Sequence, residues 1–220
     1  MKNFIEILKR CPLFDDVDDN DLLSLLGCLS AKSKNFKKGQ TIIEEGSRAD
    51  TVGIVLSGTV RIERTDYYGN KSILTELNPP SLFGESFACA EYERIPVSVV
   101  SIEDSVVLTI NVKKIITTCA NSCTFHNRII FNLLKTVAAK NILFNEKLEI
   151  IAKRTTREKL LCYLRLQSKK QGKNTFFIPF DRQALADYLE VDRSGLSAQI
   201  STLVKENVLT CKKNKFALLK

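Results

Sequence analysis

The chain has little of what catalysis or membrane insertion requires. It holds a single histidine, His126, so the sequence offers no obvious nucleophile–base pair, and it has no Walker-type glycine loop, no HExxH and no paired-cysteine zinc spacing. No catalytic residue is nominated, no metal ligand set is assigned, and an enzyme is not expected. No apolar run is long enough to span a bilayer, and Lys2, Glu6, Lys9 and Arg10 interrupt the stretch where a signal peptide would be continuously apolar. A cytoplasmic protein with no membrane partner follows as the expectation. The seven cysteines, Cys11, Cys28, Cys89, Cys119, Cys123, Cys162 and Cys211, are odd in number and lack a framework spacing. That suits reduced thiols packed as small core residues.

What is present is charge, unevenly placed. Residues 150–220 carry 15 Lys and Arg against 6 Asp and Glu, a net of +9, whereas residues 1–149 carry 18 against 19, a net of −1. The whole +8 of the chain therefore sits in its last third. At 220 residues and 44% hydrophobic it can bury a real core, and the charge step argues for two folded parts. Cations in excess are the footprint of a nucleic-acid partner, since affinity for a duplex rests mainly on neutralising phosphates.

Residues 180–209 of that basic third read as two short amphipathic helices broken at Glu190-Val191-Asp192. Leu185 and Leu189 lie one turn apart in the first helix, and Leu196, Ile200 and Leu203 follow at spacings of four and three in the second. Asp192 can cap the second helix. Opposite the apolar stripe fall Ser194, Ser197, Ala198, Ser201 and Lys205, with Arg193 at the helix start, small polar and cationic groups able to approach base edges and phosphates. This is the pattern of a DNA-reading helix-turn-helix, for which double-stranded DNA is the expected partner. Arg182 and Gln183 in the preceding helix are further phosphate candidates. The 208–212 and 215–219 segments form a hairpin around Lys213-Asn214, a wing whose Lys212, Lys213 and Lys215 hold phosphates without reading sequence. A helix over 156–171, capped by Thr155 or Thr156, and a strand over 176–179 complete this part.

Between about residues 30 and 112 the chain is a run of short Val, Ile and Thr-rich segments, at 41–44, 52–56, 59–64 and 106–110. Gly39, Gly46, Gly58, Gly69-Asn70 and Asn78-Pro79-Pro80 punctuate them, as in an all-β sandwich or barrel. Val60-Arg61-Ile62-Glu63-Arg64 alternates as a half-exposed strand should. Further on, Ile130, Leu134, Val137, Asn141, Phe144, Leu148 and Ile151 recur at alternating spacings of four and three, a heptad seam that needs a partner helix. Leu134, Asn141 and Leu148 take a positions and the others d positions, so Asn141 is the polar a residue that fixes a two-stranded register. A homodimer is expected, its two recognition helices about one DNA turn apart on an inverted repeat.

The ordered pieces Lys38-Gly39-Gln40, Gly46, Leu56-Ser57-Gly58-Thr59-Val60 and Phe83-Gly84-Glu85-Ser86, followed by the helix-turn-helix, resemble the CRP/FNR regulators over nearly the full chain. The resemblance implies an α+β fold: a jelly-roll-like β-roll sensing an effector (residues 1–120), a long dimerisation helix with a hinge at Lys153-Arg154-Thr155-Thr156 (121–153), and a winged helix-turn-helix (154–220). It also implies transcription regulation, more often activation, with RNA polymerase as a partner. Gly84, Glu85 and Ser86 then form an anion cradle, with Arg94, Pro96, Val97, Ser98 and Phe144 around the effector. In the family's cyclic-nucleotide binders an Arg-Ser or Arg-Thr pair about ten residues beyond the Gly-Glu clamps the phosphate by a charge-assisted fork. Here Ile95-Pro96 aligns with that pair, Arg94 substitutes only if the loop shifts by one residue, and Phe144-Asn145 stands where the family's helix supplies hydroxyls. The resemblance therefore argues against cyclic AMP, and the signal expected is another small molecule or a redox state. Ala198 stands where the family often has a base-reading arginine, so the target sequence does not transfer.

Two alternatives stay open. Some family members hold an iron-sulfur cluster or haem, and Cys119 and Cys123, at i and i+4 near His126, sketch a metal site; a thiol switch at Cys11 or another exposed cysteine is a related reading. The other is a cyclic-nucleotide-type regulatory subunit that does not bind DNA.

Overall fold

The computed structural model describes residues 4–65, 67–68, 71–117 and 124–219. The chain divides into two compact units, Met1–Ala139 and Lys140–Lys220. Gly69-Asn70, Cys119 and Cys123 lie outside the described residues.

The first unit opens with helices α1 (Ile5–Lys9) and α2 (Asp19–Cys28), joined through a 3-10 turn at Pro12–Phe14. Strands β1 (Lys32–Phe36), β2 (Thr41–Ile43), β3 (Thr51–Ser57), β4 (Val60–Thr65), β5 (Lys71–Leu77) and β6 (Leu82–Phe83) follow, then α3 (Glu85–Cys89), β7 (Ser98–Ser101), β8 (Ser105–Asn111) and α4 (Val112–Ile116). They pair antiparallel as two four-stranded sheets, β1-β8-β3-β6 and β2-β7-β4-β5. Strand β3 explains how the layers stack. Val52, Ile54 and Leu56 face the helices, Val55 faces the other sheet, and Gly53 lies under the Phe83 ring, so both faces are covered and the strand reads as a continuous apolar run. A Cβ on Gly53 would come within 2.2 Å of that ring. The clean alternation expected of β4 does not hold: a register shift at Ile62/Glu63 turns Glu63 inward and leaves Arg64 exposed.

Helix α5 (Thr124–Ile151) begins in the first unit and ends in the second. Phe125, Ile129, Leu133 and Val137 pack it on the helical core of the first unit. The buried Asn132 amide donates to the carbonyls of Leu13 and Asp15 at 3.1 and 2.8 Å, and Arg128 meets Asp16 at 3.0 Å. The expected seam is only partly the exposed one. Leu134 and Leu148, at a positions, are 64% and 57% exposed, and Asn141 and Phe144 are exposed with them, but Ile130, Val137 and Ile151 are half-buried. Phe131 and Ile142, 60% and 61% exposed, lie beside the exposed a positions instead.

In the second unit, the end of α5 supplies Ile150 to a core shared with α6 (Thr156–Gln171), α7 (Arg182–Leu189), α8 (Arg193–Lys205) and a sheet of β9 (Thr175–Phe177), β10 (Leu209–Lys212) and β11 (Lys215–Leu218), ordered β10-β11-β9. Thr155 and Glu158 form a capping box on α6, and Gly172 closes that helix in the left-handed region. Strand β9 starts one residue earlier and stops two earlier than the 176–179 expectation: the Ile178 N–H turns to the Asn214 carbonyl at 3.0 Å, and Pro179 has no N–H to give a ladder. The segment expected to be a hinge, Lys153 to Thr156, joins two helices of the same unit. There Lys147 lies 4.2 Å over the Tyr188 ring, donates to the Tyr188 carbonyl and sits 3.9 Å from Glu190, while Glu146 meets Lys170 at 2.5 Å. The architecture is α+β: β-roll, long helix and winged helix-turn-helix.

Candidate functional site

Helix α8 forms where it does because Asp192, in extended backbone, accepts the Gly195 N–H at 2.8 Å. Leu196, Ile200 and Leu203 are buried against α6, α7 and β10, which fixes the rotation of the helix and turns its other face outward. On that outer face Arg193, Ser194, Ala198, Ser201 and Lys205 are exposed, and Ser197 is half-buried. The Ser194 hydroxyl donates to the Asp192 carboxylate, and Ser201 donates to the Ser197 carbonyl at 3.0 Å. Arg193 and Lys205 thus supply the long donors of this face. The Ser194 bond first, and the Gly195 N–H second, hold the Asp192 carboxyl below the usual carboxylate range. Sequence reasoning passed over Thr202, exposed one turn beyond Ala198, although the same four-residue spacing marks it.

The other nominated contacts differ in freedom. Gln183 is exposed and donates to Asp187 at 2.8 Å. Arg182 is half-buried, its guanidinium 5.9 Å from the Phe216 ring centre and one nitrogen 3.4 Å from the Cys211 sulfur, so it braces α7 against the wing. Lys212, Lys213 and Lys215 are exposed on the β10–β11 hairpin, with Lys213 in the left-handed region at its tip and Lys215 stacked 5.6 Å from Phe177.

In the β-roll, Gly84 takes φ 79° where a Cβ would meet the Thr51 carbonyl at 2.8 Å, and it introduces α3. Glu85 is 2% exposed and Ser86, exposed, donates to it at 3.4 Å. Ile95 and Val97, 4% and 6% exposed, point inward onto Ala49, Ile43, Ile62 and Phe87. Pro96 and Ser98 are half-buried between them, and Ser98 accepts the Glu45 N–H at 3.2 Å. Arg94 is exposed and lines a cleft with Arg48, Asp50 and Lys113. The structure brings Gly84, Glu85 and Ser86 together and leaves Arg94 outside the Ile95–Val97 cluster; Phe144, exposed, belongs to the other unit.

Burial first, and Glu85 second, push the Cys89 thiol up; burial and then Glu149 do the same at Cys162, which disfavours the nucleophilic thiolate. Cys11 is buried. His126 is buried too, with Nε2 3.1 Å from the Lys114 carbonyl and Nδ1 3.9 Å from the Cys28 sulfur. The carbonyl selects the tautomer protonated on Nε2.

Residues 33–122 match the model of the cyclic nucleotide-binding domain. The chain is 34% identical over 80 residues to a CRP-like cAMP-activated global transcriptional regulator of Mycobacterium tuberculosis, a match covering 36% of this chain and 35%, about a third, of that protein's length. It is 22% identical over 185 residues to the transcriptional activator protein FnrL of Cereibacter sphaeroides, covering 80% of this chain and 71% of that one. A solved structure of CprK complexed with OCPA shares the fold at a TM-score of 0.64 and 17% identity, over 91% of each chain. The chain thus carries a cyclic nucleotide-binding domain at its front, is similar in sequence to these CRP-like and FnrL transcription regulators, and shares with the CprK structure the order of β-roll, long helix and winged helix.

Proposed function

We propose that the chain is a homodimeric, sequence-specific DNA-binding regulator that recognises an inverted repeat under control of a signal sensed by the β-roll. The observation that carries this reading is the outer face of α8, where Arg193, Ser194, Ala198, Ser201 and Lys205 are presented to solvent by a module that concentrates the chain's positive charge. Arg193 and Ser194 read bases, Ala198 offers at most contact to a thymine methyl, and Ser197, Lys205, Arg182, Gln183 and the wing lysines hold backbone phosphates. Leu134, Asn141, Phe144 and Leu148 pair α5 with its copy. Residues 1–120 sense, 121–153 pair and bend, and 154–220 bind the duplex. By family analogy RNA polymerase is the downstream partner and activation the outcome. Among the described residues no helix is long and apolar enough to cross a membrane.

Cyclic AMP is not the proposed signal. The positions of the phosphate clamp are filled by Ile95 and Pro96, and Ile95 is buried among apolar side chains. Selection of bound duplexes from a random pool by the purified protein, with and without small molecules from a cell extract, tests the reading. Enrichment of one palindrome is expected; a monomeric protein indifferent to duplex DNA at low salt under every condition overturns it.

The exposed Cys28, its sulfur 3.9 Å from His126 Nδ1, favours a second reading, a thiol-based redox sensor. A metal-free preparation that binds the selected duplex equally with and without reductant would dismiss it.

A further inference from the structure

We propose that the outer cleft of the β-roll, between the 48–50 segment, the loop after α3 and the start of α4, binds a small zwitterion, a molecule carrying both an acid and an ammonium group. The cleft measures about 450 Å³, within the size range of small-ligand pockets. Ala49, Ala88 and Val112 lie buried at its base, and two alanines there leave the volume open. Around them stand three cations, Arg48, Arg94 and Lys113, and three carboxylates, Asp50, Glu91 and Glu93. Among the described residues no ion pair joins any two of these six. Asp50 accepts the Thr51 hydroxyl at 2.8 Å.

Six charges gathered round one concavity without pairing are available to a guest. A simple anion would gain the cations and face three carboxylates, and a simple cation the reverse; a guest bearing both signs finds a complement for each. Arginine adds a planar fork suited to a carboxylate or phosphate. The walls are also held in place beforehand. The Ala49 N–H bonds the Tyr92 carbonyl at 3.3 Å, the Ile95 N–H the Ser47 carbonyl at 2.9 Å, and the Val112 N–H the Asp50 carbonyl at 2.8 Å. Preorganisation of this kind reduces what binding must spend on ordering loops. Ala49 belongs at the same time to the inner cluster with Ile95 and Val97, so the floor of the cleft is continuous with the interior of the roll. The inference adopts the reading of the β-roll as the sensing unit, but the binding itself needs no DNA.

The test uses the intact protein, with O-phosphoethanolamine, glutamine and glutamate as probes and inorganic phosphate, acetate and ethylamine as single-sign controls, in titration calorimetry and thermal unfolding. Saturable binding of at least one zwitterion is expected, raising Tm, with each control weaker by about tenfold or more. Arg94→Gln and Glu93→Gln should each lower that affinity by about tenfold. Their ligand-free Tm should match the parent, because both side chains are exposed. No binding by any probe overturns the proposal. So does binding of inorganic phosphate as tight as that of phosphoethanolamine and insensitive to Glu93→Gln, the mark of a plain anion site. Duplex binding by the ligand-free protein, measured alongside, separates failure of this site from failure of the DNA reading.

Discussion

Asp192 has two tasks at the start of α8: it caps the helix through the Gly195 N–H and restrains the Ser194 hydroxyl on the outer face of that helix, the one proposed to meet DNA. Both favour the ionised carboxyl, so its pKa in the folded chain lies below that of the unfolded chain, which is about 3.9. A lowered carboxylate stabilises the fold above its unfolded pKa, and that contribution is lost as pH falls through the folded one. The cap should thus be constant from neutrality down to about pH 4 and weaken on further acidification. Asp192→Asn, which still caps, should remove this share of the acid sensitivity; identical acid dependence of the unfolding midpoint in both proteins would refute the assignment. At the neighbouring position, Arg193→Ala is expected to lose about 1–3 kcal/mol of affinity for the selected duplex and to relax its specificity. Equal losses on selected and random duplexes, by fluorescence anisotropy, would show that Arg193 holds phosphate instead.

Helix α5 shows what a heptad pattern does and does not disclose. The a positions Leu134, Asn141 and Leu148 came out on the exposed side, but Val137 was drawn into the core of its own unit, where Phe125, Ile129 and Leu133 hold the opposite flank of the helix. Spacing alone cannot separate a seam made with another chain from one shared with a neighbouring core; the flanking Phe131 and Ile142 required the fold to be seen. Changing Leu134 and Leu148 together to lysine should convert the proposed dimer to monomer in sedimentation while moving the unfolding midpoint of the monomer little, since exposed substitutions stay within about 0.5 kcal/mol each. Dimers that persist would move the interface elsewhere. The helix-turn-helix was legible nearly residue for residue, because cap, apolar stripe and turn are all local to 180–209. Strand β1, Lys-Ser-Lys-Asn-Phe, was not: only Phe36 is buried, and its pairing with β8 joins Lys32 to Thr109 across the sequence.

On the scale of the whole molecule, charge and topology give different kinds of information. The charge step was visible in the sequence because it needs only counting, and it bears on affinity: a protein holding phosphates with its wing should lose binding steeply as salt rises. Lys213→Ala should weaken binding to all duplexes alike and reduce the slope of log affinity against log salt by about 1. An unchanged slope would place the hairpin tip off the backbone. Sheet order was hidden, because β8 pairs with both β1 and β3, and no local pattern encodes such distant partners. The cleft beside Ala49 was hidden for the same reason, being assembled from three separated segments. The 28 residues of α5 make a helix of about 42 Å, and its hydrogen-bonded ladder has almost no give along its own axis.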